Sequence, residues 1–393
     1  MFGKFDETIL EKLLFYFFKM FGMATMKYEI STIKNEKIKK RRLFTYSKID
    51  IVYNSFLILV TTILNIILVG LKIDDKTSLP NVRGVQKITD VVQFGFATLT
   101  CVFILVYFCA RQKKAIEMAD QICQIYGSMI VNNCDTGEKR SILLITLFVF
   151  SINFIFWLVM IITSVNVTMA TPNNLIFYYL AVYSCHVIMQ TLLMQYSIIL
   201  NMIGYFFLHI NKSLVILLKK PNQLFLDAQC RNIDKTRGER LLKMRKTYLI
   251  LCKISEDISD FYSPLMFFCL SVTFVTLIRS GLYIAVSIAD KESNLTIKGM
   301  IHCIGYVVHY YFLLVMLTKK ASKIVTESKR TGEIVSDCVH YVDNQEIILN
   351  QFSNYLLHKK IKFTVFNLFV LDESLLLLFA GSMATYLVIM MDF

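Results

Sequence analysis

The residues in this chain that could do chemistry sit in apolar surroundings. Arg279 lies inside a long hydrophobic run with Tyr283 one helical turn further on, so the two share a face. A guanidinium in hydrocarbon is costly unless it meets a partner or water, which makes Arg279 the sharpest hint of a site. Other apolar runs carry Gln93, Phe94, Trp157, Tyr179, Tyr183, His186, Gln190, His302, Tyr306 and His309, more polar and aromatic groups than lipid contact requires. Small-molecule pockets are built from aromatic faces and a few polar groups. Tyrosines at membrane ends also serve as interfacial anchors, and buried histidines as hydrogen-bonded core residues. His302 and His309 share a helical face but have no Cys or carboxylate at ligand spacing nearby, so no metal site is expected. There is no His-Glu-x-x-His, no Gly-x-Ser-x-Gly and no phosphate loop, so the chain does not read as an enzyme and implies no cofactor.

A second group lies near residue 393. On a helix, Ser374, Leu378, Ser382, Thr385, Ile389, Asp392 and Phe393 fall within about 100° of one another. That face is dotted with hydroxyls and ends on a carboxylate. It would pack well against another membrane helix. It would also suit an aqueous path, with hydroxyls replacing ion hydration, Leu378, Ile389 and Phe393 closing by dewetting, and Asp392 attracting cations.

The elements that must position these residues follow from composition. The chain has 393 residues, 55% of them hydrophobic, and a mean hydropathy of +0.55. That is more apolar than a soluble protein's roughly 45–50%. Solid apolar runs satisfy their own backbone as helices in lipid, whereas a β-barrel would show short alternating segments. Seven runs approach the roughly 20 residues a crossing needs: Ile49–Ile73, Ile88–Ala110, Ile142–Val165, Leu175–Ile210, Phe261–Ala289, Met300–Leu317 and Leu375–Met391. The fourth is too long for a bilayer and is expected to project beyond it as one continuous helix.

A net charge of +13 could suggest nucleic acid, but apart from Lys72 and Arg279 the Lys and Arg residues fall in the breaks between apolar runs. Of 42 such residues, 34 fall in the N-terminal stretch and the even-numbered connections, 6 in or beside the odd-numbered ones, and Arg279 and Lys362 within or beside helical segments. The positive-inside rule then puts the N-terminus in the cytoplasm. Asn166-Val167-Thr168 and Asn294-Leu295-Thr296 are glycosylation sequons in connections placed outside, while Asn211-Lys212-Ser213 falls inside. None of the ten cysteines lies in an outer connection, so no disulfide is expected there. The apolar patch at Leu13–Phe18 is closely bracketed by lysines and reads as an amphipathic helix rather than a cleaved leader.

The fold expected is all-α: a polytopic membrane protein of seven transmembrane helices with a cytoplasmic helical anchor bundle. Residues 1–48 form a cytoplasmic N-terminal segment, and 49–317 carry helices one to six, with 211–260 as a cytoplasmic extension of the fourth and fifth. Residues 318–374 are anchor helices, including a cytoplasmic helix over Phe363–Val370, and 375–393 line the pore. Helical spacing of Leu241, Leu249, Ile254 and Ile258, and of Ile324, Val335, Ile348 and Phe352, supports the bundle.

The stretch Thr385-Tyr386-Leu387-Val388-Ile389-Met390-Met391-Asp392-Phe393 resembles the C-terminal signature of the insect gustatory receptors, relatives of the insect odorant receptors. That signature is Thr-Tyr, an apolar run, then Gln-Phe. His358-Lys359-Lys360-Ile361-Lys362-Phe363-Thr364, through Phe369-Val370-Leu371-Asp372, is similar to the family's lead-in. The resemblance implies a tetrameric ligand-gated cation channel in the plasma membrane of sensory neurons, joined through its cytoplasmic helices, with the last helices lining the pore. At matching positions Phe393 would fall at the gate and Asp392 at the adjacent outer pore position, where the family usually has Gln. Partners implied are a small-molecule tastant, monovalent and divalent cations, membrane lipid, and either identical or related subunits; nucleic acid is not among them. The apolar balance of the candidate pocket leans towards a bitter or plant compound rather than a sugar. Alternatives are an odorant-receptor subunit, a seven-helix G-protein-coupled receptor, which needs its N-terminus outside, and a transporter, which commonly shows internal repeats.

Overall fold

The computed structural model describes residues 7–28, 44–74, 83–130, 136–167, 175–218, 227–289, 297–339 and 346–392. The helices are α1 (Glu7–Met20), α2 (Lys48–Asp74), α3 (Arg83–Ala110), α4 (Gln112–Ile130), α5 (Thr136–Val167), α6 (Leu175–Leu218), α7 (Asp227–Ala289), α8 (Ile297–Val339), α9 (Glu346–His358) and α10 (Glu373–Asp392). Each of the seven apolar runs lies on one of them. Five described helices, α2, α3, α6, α7 and α8, hold stretches long and apolar enough to cross a membrane, and α5 and α10 hold shorter apolar ones. The chain is a helical polytopic membrane protein.

Length separates membrane from extension. The 44 residues of α6 span about 66 Å at 1.5 Å per residue, twice the roughly 30 Å hydrocarbon core. The 63 residues of α7 run unbroken through Pro264, so the continuous helices expected from the sequence are present. α6 is the axis of the bundle, packed along α8 and also against α2, α3 and α7. Leu192, Leu200, Ile203, Phe207 and Leu214 on α6 are fully buried. Towards the C-terminal end of α6, Tyr248 of α7 stacks edge-on with Phe207 of α6 and Phe352 of α9 and hydrogen-bonds Ser328 of α8 at 2.8 Å. There Asn211 donates to the Glu327 carboxylate at 2.9 Å and accepts from the Thr331 hydroxyl at 2.6 Å, so the third sequon's amide is engaged inside the protein.

Two short antiparallel ribbons break the helical pattern. β1 (Met26–Tyr28) pairs with β2 (Phe44–Tyr46). Ahead of them the chain turns at Gly22, whose φ of +77° and whose missing Cβ, 2.6 Å from both Asn54 and Leu105, leave room for no side chain. This N-terminal segment is tied to the bundle: Asn54 donates to the Gly22 carbonyl at 2.8 Å, and Lys19 pairs with buried Asp50 at 3.1 Å.

The second ribbon corrects the sequence reading. Phe363–Val370 is not a helix but a hairpin, β3 (Thr364–Val365) and β4 (Phe369–Val370). Phe366 and Asn367 adopt φ of 49° and 55°, two successive left-handed residues that a helix cannot contain and a tight hairpin turn requires. Asn tolerates that conformation; Phe366 is held in it by a 2.7 Å bond from its N–H to Ser263 Oγ and by its ring against Phe267. The separate helix α4 follows α3 almost without a break, where only a connection was expected.

Candidate functional site

Most of the expected pocket residues gather into one aromatic and polar cluster between α5, α6 and α8. Trp157 of α5 donates through Nε1 to Gln190 Oε1 of α6 at 2.6 Å, and His309 Nε2 of α8 meets the same oxygen at 2.9 Å. An acceptor between them leaves Nε2 of His309 as the protonated nitrogen. The His309 ring stacks on Phe156 at 3.8 Å with an interplanar angle of 3°. His186 Nδ1 lies 2.6 Å from the Tyr310 hydroxyl. Tyr306 touches Trp157, His186, His302 and Tyr310, and Tyr183 sits edge-on to Trp157 with its hydroxyl on the Met160 carbonyl. Trp157, Tyr183, His186, Tyr306 and His309 are buried, and His302 is half-buried.

Gln93, Phe94 and Arg279 form the neighbouring wall between α3 and α7. Gln93 Nε2 donates to Thr276 Oγ1 at 3.0 Å, and the Arg279 guanidinium lies 5.8 Å from the centre of the Phe94 ring, a cation–π distance. Arg279 is close enough to act electrostatically on His186, His302 and Tyr306, which joins this wall to the first cluster. Tyr283 is half-buried one turn beyond Arg279. Tyr179 lies on α6 one turn before Tyr183; its side chain is outside the described residues. Gln190, singled out in the sequence only as one polar residue among many, is the hub. Its Nε2 is buried beside the Tyr310 hydroxyl, at the centre of the cluster. Chemically the arrangement offers flat apolar faces, one fixed cation and a few buried hydrogen-bonding groups.

The last helix is built differently. Asp372 caps α10, accepting from the Ser374 N–H at 3.0 Å. Its inner face, Leu375, Leu376, Phe379 and Met383, packs on the bundle. Phe274 of α7 touches both Phe379 and Tyr386, at 5.5 and 5.9 Å, and Leu387 lies 3.0 Å from where a Cβ on Gly281 would stand. Among the described residues the other side is largely uncovered: Ser374, Leu378, Thr385 and Ile389 are exposed and Ser382 is half-buried. Among the described residues, the Thr385 hydroxyl bonds only back to the Gly381 carbonyl, at 3.0 Å. Asp392 closes the helix with its side chain outside the described residues, and Phe393 lies outside them altogether. Asn166 stands in the last turn of α5 with its side chain not described, and Asn294 is outside the described residues. Among the described residues no group of three metal-ligating side chains occurs.

A family model described as 7tm Chemosensory receptor matches residues 11–393. Gustatory receptors 28b and 28a of Drosophila melanogaster, so named, are each 23% identical to the chain, over 189 and 149 residues. These matches take in 45% and 37% of this chain but only 40% and 33% of the relatives' own lengths. Among solved structures, the insect olfactory receptor OR5 from Machilis hrabei superposes with a TM-score of 0.67 at 13% identity, covering 98% of this chain and 97% of that one. The same receptor in complex with eugenol gives 0.63, also at 13% identity, with 98% of each chain covered.

Proposed function

Because this chain belongs to the 7tm chemosensory receptor family, we propose that it is an insect gustatory receptor working as a tetrameric ligand-gated cation channel in the plasma membrane of sensory neurons. Seven helices, α2, α3, α5, α6, α7, α8 and α10, cross the membrane with the N-terminus in the cytoplasm, the side where the charge count concentrates Lys and Arg. Extensions of α6, α7 and α8, with α9 and the β3–β4 hairpin, join the subunits. The single observation that carries the channel reading is the face of α10 bearing Ser374, Ser382 and Thr385, which turns away from its own bundle. Four such faces around one axis would line an aqueous path, closed at Ile389 and Phe393 and edged by Asp392.

The ligand, in this reading, enters the cluster around Trp157, His186, Gln190, Arg279, Tyr306 and His309. Its flat apolar faces suit a small aromatic molecule better than a sugar, which would need many hydrogen-bonding side chains. The olfactory receptor that shares this fold is solved with eugenol, a small phenol, and a bitter or plant-derived compound is the corresponding tastant here. α7 connects the two sites. Arg279 lies two residues before Gly281, whose Cα faces Leu387 of α10. A ligand that binds better when α7 shifts would move the pore helix with it.

Cysteines at Ser382 and Thr385 test the pore. Modification by small water-soluble thiol reagents, with altered ligand-evoked current, is expected in the stimulated protein; inaccessibility at rest and on stimulation would sink the channel. The shared fold with an olfactory receptor favours one second reading, an odorant-receptor subunit. Expression alone separates them: current evoked by a plant alkaloid without a co-expressed partner supports the gustatory reading. An N-terminal tag reached only after permeabilisation would exclude a G-protein-coupled receptor, and unitary currents would exclude a transporter.

A further inference from the structure

Below the aromatic cluster, the same three helices part. Thr146, Val149 and Phe150 of α5, Leu193, Met194, Ser197, Ile198 and Asn201 of α6, and Leu313, Met316 and Lys320 of α8 line a narrow cleft of about 30 Å³. That is far below the roughly 300–1,000 Å³ of a compact-ligand pocket. It is a shallow apolar groove rather than a compact-ligand pocket. The side of α5 turned away from the cleft is bare and apolar, with Phe148, Phe154, Ile155 and Leu158 exposed, as expected of a helix at the rim of a bundle that meets lipid.

Its far end is charged. Lys320 stands three residues past Leu317, about 4.5 Å along the helix beyond the apolar run, at headgroup depth. Asn201 Oδ1 accepts from Lys320 Nζ at 2.7 Å and holds it over the cleft mouth. Among the described residues no carboxylate lies within ion-pair distance of it, while Lys323 adds a second positive charge nearby. A half-buried ammonium above a shallow apolar groove is complementary to one molecule of the surrounding solvent.

We infer that this groove seats an anionic phospholipid, its phosphate on Lys320 and one acyl chain lying along the seam of α5, α6 and α8. Asn153, one turn above Val149 and Phe150, donates to Met194 Sδ at 3.0 Å, and the next turn of α5 carries Phe156 and Trp157. A lipid seated below would therefore brace the helix that forms one wall of the ligand cluster. The inference uses the span limits proposed above but not conduction.

Native mass spectrometry of the full-length detergent-purified protein tests it, because that assay reads lipid and not current. Wild-type protein is expected to retain phosphatidylglycerol about tenfold over phosphatidylcholine; no preference would overturn the site without any variant being made. Lys320→Gln and Val149→Trp, one removing the charge and the other filling the slot, should each lower retention about tenfold. Lys320→Arg and the exposed Lys329→Gln should leave it unchanged. Undiminished retention in Lys320→Gln, or displacement of the lipid by inorganic phosphate or glycerophosphate at equal concentration, would show that no chain-bearing anion is held there.

Discussion

α6 and α10 are similarly apolar helices with opposite surroundings. α6 is enclosed by α2, α3, α7 and α8, and its Leu200, Ile203 and Phe207 are inaccessible. α10 packs by one side alone, against α7 and α8, and leaves Leu377 77% exposed. Hydropathy alone cannot tell the two helices apart. What separates them is the distribution of small and hydroxyl residues: on α10 they mark the side without a neighbour in this chain, whereas α6 uses its polar residues, His186 and Gln190, inside the bundle. An enclosed helix defines the state of one subunit. A half-enclosed one is completed by whatever lies outside it.

The contrast predicts its own largest effect. Phe207→Ala removes a ring packed against Tyr248 in a closed core and should cost about 3–5 kcal/mol, read as a large fall in the thermal midpoint of the purified protein. Leu377→Ala should change the stability of the subunit by less than about 0.5 kcal/mol while weakening subunit association on size-exclusion. Comparable destabilisation of the lone subunit by the two would mean that α10 is more enclosed than its exposure indicates. Next in size is Gln190→Leu, which strands the indole N–H of Trp157 and the imidazole N–H of His309. Each buried unpaired donor costs about 1–3 kcal/mol, so the midpoint should fall and ligand sensitivity with it. A midpoint equal to wild type would show that water reaches the cluster.

At the Asp392 end of α10 the expected change is in selectivity rather than stability. Asp392→Asn removes one carboxylate per subunit from the proposed pore mouth and should weaken divalent-cation permeation or block in patch recordings. Unchanged reversal potentials with calcium as the main cation would discard that role for Asp392.

The apolar runs are legible because lipid imposes one backbone solution, and the seven helical stretches stand where hydropathy puts them. Residues of the cluster are legible as types, since Arg, His and Trp are conspicuous in apolar runs. Their partnerships are not. Gln190 meets Trp157 and His309 across 33 and 119 residues of chain, separations that no local pattern encodes. α4 does carry a local signal, with Ala115, Met118, Ile122 and Ile125 at helical spacing, but its charged residues read equally well as a topological connection. The β3–β4 hairpin is hidden for a physical reason. Its turn needs a left-handed Phe366, which no propensity favours and only the contacts to Ser263 and Phe267 sustain.

That hairpin is the joint between the enclosed and the half-enclosed region, and its entry is fastened by a surface ion pair, a weaker link than any in the two helices' packing. Lys359, just past α9, pairs with Glu256 of α7 at 2.7 Å. The hydrogen bond that Lys359 donates to Glu256 holds its ammonium above the ordinary value of 10.5. A raised value for a base means that the link stabilises the fold fully below the unfolded lysine's range and is lost as pH rises through the folded one. Both side chains are more than a third exposed, at 37% and 41%, so solvent screening limits the pair to about 1 kcal/mol or less. Glu256→Gln should therefore lower the thermal midpoint slightly at about pH 8, and the gap to wild type should close as the pH is taken above 10.5. A gap that persists at high pH would assign the effect to packing between α7 and α9 and leave the fastening of α10 to the hairpin's backbone bonds on Ser259 and Ser263.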